Sequence, residues 1–233
     1  MTTMLIQLVG PMQAWGFRSR FDNRDTGLEP TRSGIIGLLC AALGWEREAD
    51  LSPFESLKIG VRVEKPGRVA LDYHTAQNIW RDGVGASTVV SSRYYLADAR
   101  FLAGLQSDDA AWLERLEDAL RNPAWPLFLG RKSFVPGLPV HLEASGLRDG
   151  DCESVLRAQP WRFFSKREER EAQQSPPELR LALESEAGEG VAKNDVPRDF
   201  LRRSYGVRYL RTDFCVPAAT EWHPMMAPYE GAR

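Results

Sequence analysis

A chain of 233 residues with 43% hydrophobic and 27% charged side chains and a formal net charge of −2 has the make-up of a globular protein with a sizeable core. The near-neutral balance excludes attraction of nucleic acid by whole-molecule charge, so any such partner must be met by local basic patches. Three scattered cysteines without C-x-x-C spacing (Cys40, Cys152, Cys215) exclude a disulfide framework and a zinc finger and suit a reducing cytoplasm.

The N-terminal "MTTMLIQLVG" lacks the basic start of a secretory signal. Its segment "MLIQLVG" (4–10), stopped by Gly10-Pro11, predicts a buried first strand. A polar loop over 11–30 leads into "PTRSGIIGLLCAALGW" (30–45). There the pattern predicts a helix from Ser33, capped by that serine, with Gly44 ending it. Its apolar run is too short to span a bilayer, so no membrane partner is expected. "LKIGVRVEKPG" and "RVALDYHT" flank a Lys-Pro-Gly turn and predict a hairpin.

Residues 76–92 are Gly- and Ser-rich and weakly patterned, the composition of a mobile segment. "RYYLADARFLAGL" (93–105) predicts a strand. "SDDAAWLERLEDALRNP" (107–123) is the clearest helix, with apolar positions at Ala111, Leu113, Leu116 and Leu120. "WPLFLG" (125–130) predicts a short strand running into the loop "GRKSFVPGLP". Strand, helix, hairpin, strand, helix, strand is the βαββαβ order of an α+β, ferredoxin-like domain over 1–145. Residues 146–233 predict a small β-rich C-terminal region, with strands at "ELRLALES" and "YGVRYLRTDFCV" and linkers at 168–178 and 186–197.

Three stretches could hold an anion. The start of the first helix has no carboxylate in its opening turn, Ile36 stands where a capping box wants Glu, and Arg32, Ser33 and Gly34 lie at its N-terminus. It reads both as a core helix and as a phosphate site. The loop "GRKSFVPG" (130–137) sets Arg131 and Lys132 beside Gly130 and Ser133, where cations and a backbone nest could meet phosphates, although it is no Walker A loop. "RDFLRRSYGVRYLR" (198–211) interleaves five arginines with Phe200, Tyr205 and Tyr209, a composition that suits single-stranded nucleic acid. Trp15, near the Gly10-Pro11 turn, could stack on a base. Metal and nucleophilic-triad motifs are lacking, so no metal and no cofactor is expected; Tyr73, His74 and Lys132 form the one constellation that could cut RNA without metal.

"LVGPMQAWG", "PTRSGIIGLLCAALGW", "DYHTAQ", "SSRYYLADARF" and "LGRKSFVPGLP" occur in the order seen in the fifth family of CRISPR-associated proteins. The chain resembles that family's type I-E branch, the CasD-type subunits of Cascade, over residues 4–139. The resemblance implies a repeat-associated RNA-binding fold with a thumb hairpin near 76–92. It implies a noncatalytic subunit that grips the 5′ handle of CRISPR RNA and caps one end of the complex, beside the backbone subunit CasC and the large subunit CasA. The RNA-facing residues it suggests, with those read above, are Gln13, Trp15, Arg32, Ser33, Gly34, His74, Gly130, Arg131, Lys132 and Ser133. Relatives of the type I-C branch process precursor RNA, which makes a metal-independent endoribonuclease the alternative.

Overall fold

The computed structural model describes residues 1–16, 23–81 and 85–223. In chain order the first elements are β1 (Thr2–Val9), β2 (Met12–Gln13), β3 (Asn23–Arg24), α1 (Arg32–Leu43), β4 (Lys58–Lys65), β5 (Arg68–Arg81), β6 (Gly85–Ala97), β7 (Arg100–Ser107) and α2 (Ala110–Arg121). They are followed by β8 (Leu147–Asp149), α3 (Cys152–Ala158), β9 (Trp161–Phe163), α4 (Lys166–Gln174), β10 (Leu179–Ser185), β11 (Val191–Asp199), β12 (Ser204–Cys215) and β13 (Thr220–Trp222). Among the described residues no helix is long and apolar enough to cross a membrane.

A seven-stranded sheet in the order β11-β12-β10-β4-β7-β1-β8 forms the centre. Its β8-β1-β7-β4 portion has the strand order of a ferredoxin-like sheet, with β7 antiparallel to both β1 and β4. β1 is buried along nearly its whole length because the sheet is covered on both faces, which explains a continuous apolar run rather than alternation. Ile6, Leu8, Val61, Phe101 and Leu105 pack with Ile35 and Leu39 of α1 and Leu113, Leu116 and Leu120 of α2. Leu5, Leu102, Leu181 and Leu183 face the other way, onto Val155 and Leu156 of α3. In α2, Asp109 caps the helix by accepting from Trp112 N at 2.9 Å, and Ala111 is exposed rather than core-facing.

Several expected elements lie elsewhere. "WPLFLG" is irregular, because Ala124 N and Trp125 N bond to the end of α1 and Leu129 bonds to Ala14 and Phe134. The fourth ferredoxin strand is instead β8, three residues pairing Met4 with Leu147. β4 and β5 do not form a hairpin with one another; β4 lies between β7 and β10, while β5 pairs with β6. The expected strand 93–105 is broken at Asp98, which takes a positive φ of 57° and donates its N–H to Pro11 O. Its first part belongs to the β5–β6 hairpin and its second to the main sheet. The segments expected as linkers carry α4 and most of β11.

Of the strands after residue 145, β8, β10, β11 and β12 join the main sheet, while β9 and β13 pair with each other in a separate two-stranded sheet. β10 pairs with β4, matching Leu181 to Arg62, so the main sheet runs across that division. α3, β9, α4 and β13 lie on its second face.

Candidate nucleic-acid interface

The start of α1 is closed by the protein itself. Thr31, not Ser33, is the cap: its Oγ1 accepts from Gly34 N at 3.2 Å. Asp195 of β11 accepts the Arg32 backbone N–H at 2.8 Å and is 2% exposed. The anion that a helix N-terminus favours is therefore a buried carboxylate from the far end of the chain. The Arg32 side chain points inward, donating to Leu57 O, Phe54 O and Glu184. Arg208 bonds to both Asp195 and Glu184. Burial works against its charge, but those two carboxylates raise its pKa. Ser33 and Gly34 remain half-buried behind this network.

Gln13 and Trp15 are interior as well. Gln13 Nε2 donates to Leu8 O and Ala99 O, and its Oε1 accepts from Trp15 Nε1 at 3.1 Å. Trp15 is 1% exposed, and its ring lies so close to α1 that a Cβ on Gly34 would come within 2.7 Å of it. Gly34 makes room for the indole, not for a phosphate. A tryptophan in this position cannot stack on a base without leaving the core.

The loop after α2 turns on Gly130. Gly130 has φ 89° and sits so near Ala14 O that a Cβ would lie 1.7 Å from it, so only glycine fits. This places Lys132 and Ser133 at the exposed tip and Arg131 against the hairpin. Arg131 Nη2 donates to Tyr94 O at 2.7 Å and reaches Arg24 O at 3.4 Å. Its guanidinium lies 5.3 Å from the Phe134 ring.

Strand register completes the cluster. β6 pairs on one side with β5, matching Asp72 to Arg93, and on the other with β3, matching Arg24 to Arg93. Arg24, Arg93 and Arg131 thus converge at the root of the hairpin. Burial, and then the charges of Arg93 and Arg24, push the Arg131 pKa down. Arginine nonetheless stays charged, so the cluster is an electrostatic cost that an anion would relieve. Among the described residues none of these arginines, nor Lys132, forms an ion pair; Asp72 is engaged by His74 at 2.5 Å. Arg24 and Arg93 gave no sequence signal beyond their charge. Only the ladder brings residues 24, 93 and 131 together.

The hairpin has two different faces. Val69, Leu71 and Tyr73 project from one side of β5 and are 54%, 52% and 66% exposed. Asp72 and His74 lie on the other, basic side. Tyr73 and His74, adjacent in an unbroken stretch of β5, therefore point to opposite faces and do not share a site with Lys132. The segment 76–92, weakly patterned in sequence and assigned by the resemblance to a thumb hairpin, contributes strand residues to β5 and β6; its residues 82–84 lie outside the described residues, as do 17–22 of the preceding loop.

The arginines of 198–211 are largely committed elsewhere. Arg208 is in the Asp195 network, Arg211 pairs with Glu153 and Asp213, and Arg202 lies 3.7 Å from Asp199. Phe200 packs on the core.

A family model described as CRISPR-associated protein (Cas_Cas5) matches residues 3–211. The CRISPR system Cascade subunit CasD of Escherichia coli (strain K12) is 37% identical over 156 residues, 60% of this chain and 69% of that protein. Among solved structures, a crystal structure of a Cas protein aligns with TM-score 0.76 and 38% identity, covering 95% of this chain and 99% of that one. A chain of a CRISPR RNA-guided surveillance complex aligns with TM-score 0.77 and 32% identity, covering 95% and 94%.

Proposed function

The chain belongs to the Cas5 family of CRISPR-associated proteins, and from that premise we propose that it is a CRISPR RNA-binding subunit of a Cascade-type surveillance complex. It grips the 5′ handle of the RNA and caps one end of the backbone in antiviral defence, and it does not cut. The observation that carries this reading is the convergence of Arg24, Arg93 and Arg131 at the root of a long exposed hairpin, with Lys132 and Ser133 beside them. Guanidinium groups that repel one another and, among the described residues, form no ion pair are suited to phosphates. The hairpin acts as a thumb: its basic face follows RNA, and its apolar face meets a neighbouring subunit, for which the backbone subunit CasC is the proposed partner. The large subunit CasA is proposed to sit on the same end of the assembly.

In this site Arg131 and Lys132 act through charge. Replacing either by alanine should weaken handle binding similarly for different handle sequences and reduce the magnitude of the salt slope by about 0.7. An unchanged slope in the Arg131/Lys132 double variant removes the loop from the RNA site. Incubation with repeat RNA in EDTA should leave the RNA intact; specific cleavage lost in His74→Ala would instead establish the endoribonuclease, which the opposed directions of Tyr73 and His74 argue against.

A further inference from the structure

A carboxylate stands on the basic face of the hairpin. Asp72 of β5 is matched across the ladder to Arg93 of β6, and His74 to Ser91, so the four side chains form a square on one face. The charged groups in it are held along their own strands instead of across. Arg93 Nε donates to Ser91 Oγ at 3.1 Å, and His74 Nε2 lies 2.5 Å from Asp72 Oδ2. Opposite charges in directly facing positions attract one another, yet among the described residues Asp72 makes no ion pair with Arg24, Arg93 or Arg131. Its Oδ1 accepts from no described residue, and the side chain is 43% exposed.

Elsewhere this chain balances an arginine with a carboxylate that touches it: Asp195 accepts from Arg208 through both oxygens. Asp72 acts on Arg131 only at a distance, where its charge favours the protonated guanidinium. An open carboxylate beside arginines that take phosphates weakens their grip, because it repels phosphate oxygens. A carboxylate is an acceptor only, so what it can gain from RNA is a donor. The 2′-hydroxyl adjoins the phosphate that the carboxylate repels, whereas an exocyclic amine lies on the far edge of its base. We propose that Asp72 reads the RNA by accepting a hydrogen bond from a nucleobase amine, cytosine N4 or adenine N6, through Oδ1. Uracil is disfavoured, since it presents a carbonyl oxygen where those bases carry the amine. The inference deepens the RNA-binding reading and rests on it. Arg24, Arg93, Arg131 and Lys132 hold phosphates without regard to sequence, and Asp72 supplies the dependence on sequence.

Fluorescence anisotropy of the intact protein with labelled octanucleotides of cytidylate, adenylate and uridylate tests this. Each oligonucleotide is compared between the native protein and Asp72→Ala, so differences in the oligonucleotides' own stacking cancel. The variant should bind oligocytidylate and oligoadenylate about tenfold more weakly, the effect of losing one hydrogen bond to a charged group. It should bind oligouridylate at least as tightly as the native protein. A loss confined to one of the two amine-bearing bases supports the proposal and names the base. Equal weakening for all three assigns the contact to the 2′-hydroxyl and overturns it. Equal tightening, which makes Asp72 a counter-charge only, no change in any, or weakening greatest for oligouridylate overturns it too. Asp72→Ala should melt with the native protein, because the side chain is exposed. If it does not, Asp72→Asn decides: its amide adds a donor for uracil O4 and should level the three affinities, and an unaltered preference refutes the site. The salt slope keeps the two readings apart. A native protein that binds none of the three, or binds without salt dependence, overturns the RNA site and this inference together; a normal slope with no base-dependent change at Asp72 overturns the base reading alone.

Discussion

Asp195 Oδ2 accepts the backbone N–H of Arg32 at 2.8 Å across 163 residues of sequence. This bond joins the start of α1 to the last third of the chain and fills the position that the sequence left open for an external anion. Asp195 and Glu184 balance Arg32 and Arg208, so the cluster is buried with two charges of each sign.

Asp195→Asn should therefore destabilise the fold. It keeps an oxygen for the Arg32 N–H but leaves Arg208 with one carboxylate to share, and removing one partner of a buried pair costs about 3–5 kcal/mol. Adding Arg208→Met restores the balance, one charge of each sign, and should recover part of the loss. Urea denaturation of the two variants measures both effects. A double variant less stable than Asp195→Asn would contradict the network.

Trp15→Ala should act on stability, not on RNA. It removes a fully buried indole and the donor to Gln13 Oε1, a loss of about 3–5 kcal/mol. Handle affinity, measured well below the lowered Tm, should match the native protein. Reduced affinity with unaltered melting would return Trp15 to the RNA surface.

The hairpin side chains should show the opposite behaviour. Tyr73 and Trp80 are 66% and 74% exposed, so their replacement by alanine should leave Tm nearly unchanged. Assembly with the neighbouring subunit should suffer most in Tyr73→Ala, on the apolar face. Normal assembly of that variant, read by size-exclusion chromatography of the reconstituted complex, would detach the hairpin from the partner interface.

The thiols give an independent check on the packing. Burial pushes Cys40 and Cys152 up to about 12, which leaves them as unreactive thiols near pH 8, while half-buried Cys215 is raised less. Iodoacetamide should label Cys215 first and the other two only on unfolding. Rapid labelling of Cys152 in the native protein would mean that α3 does not pack on the sheet as described.

The sequence alone determined the elements whose signals are local. The apolar run of β1, the stripe of Leu113, Leu116 and Leu120 and the left-handed Gly44 depend on neighbours within a few residues, and the α+β, ferredoxin-like order followed from them. The motifs quoted from residues 4–139 likewise pointed to the family. Tertiary structure decided the rest, because burial and pairing are properties of distant partners. Gln13, Trp15 and Arg32 have the chemistry of a binding site, but packing of α1 and the arrival of Asp195 turned them inward. Arg24 and Arg93 have no distinguishing local context, yet ladder register set them beside Arg131. A side chain's chemistry is written in the sequence; whether it meets solvent, a counter-charge or a like charge depends on which strand arrives next to it.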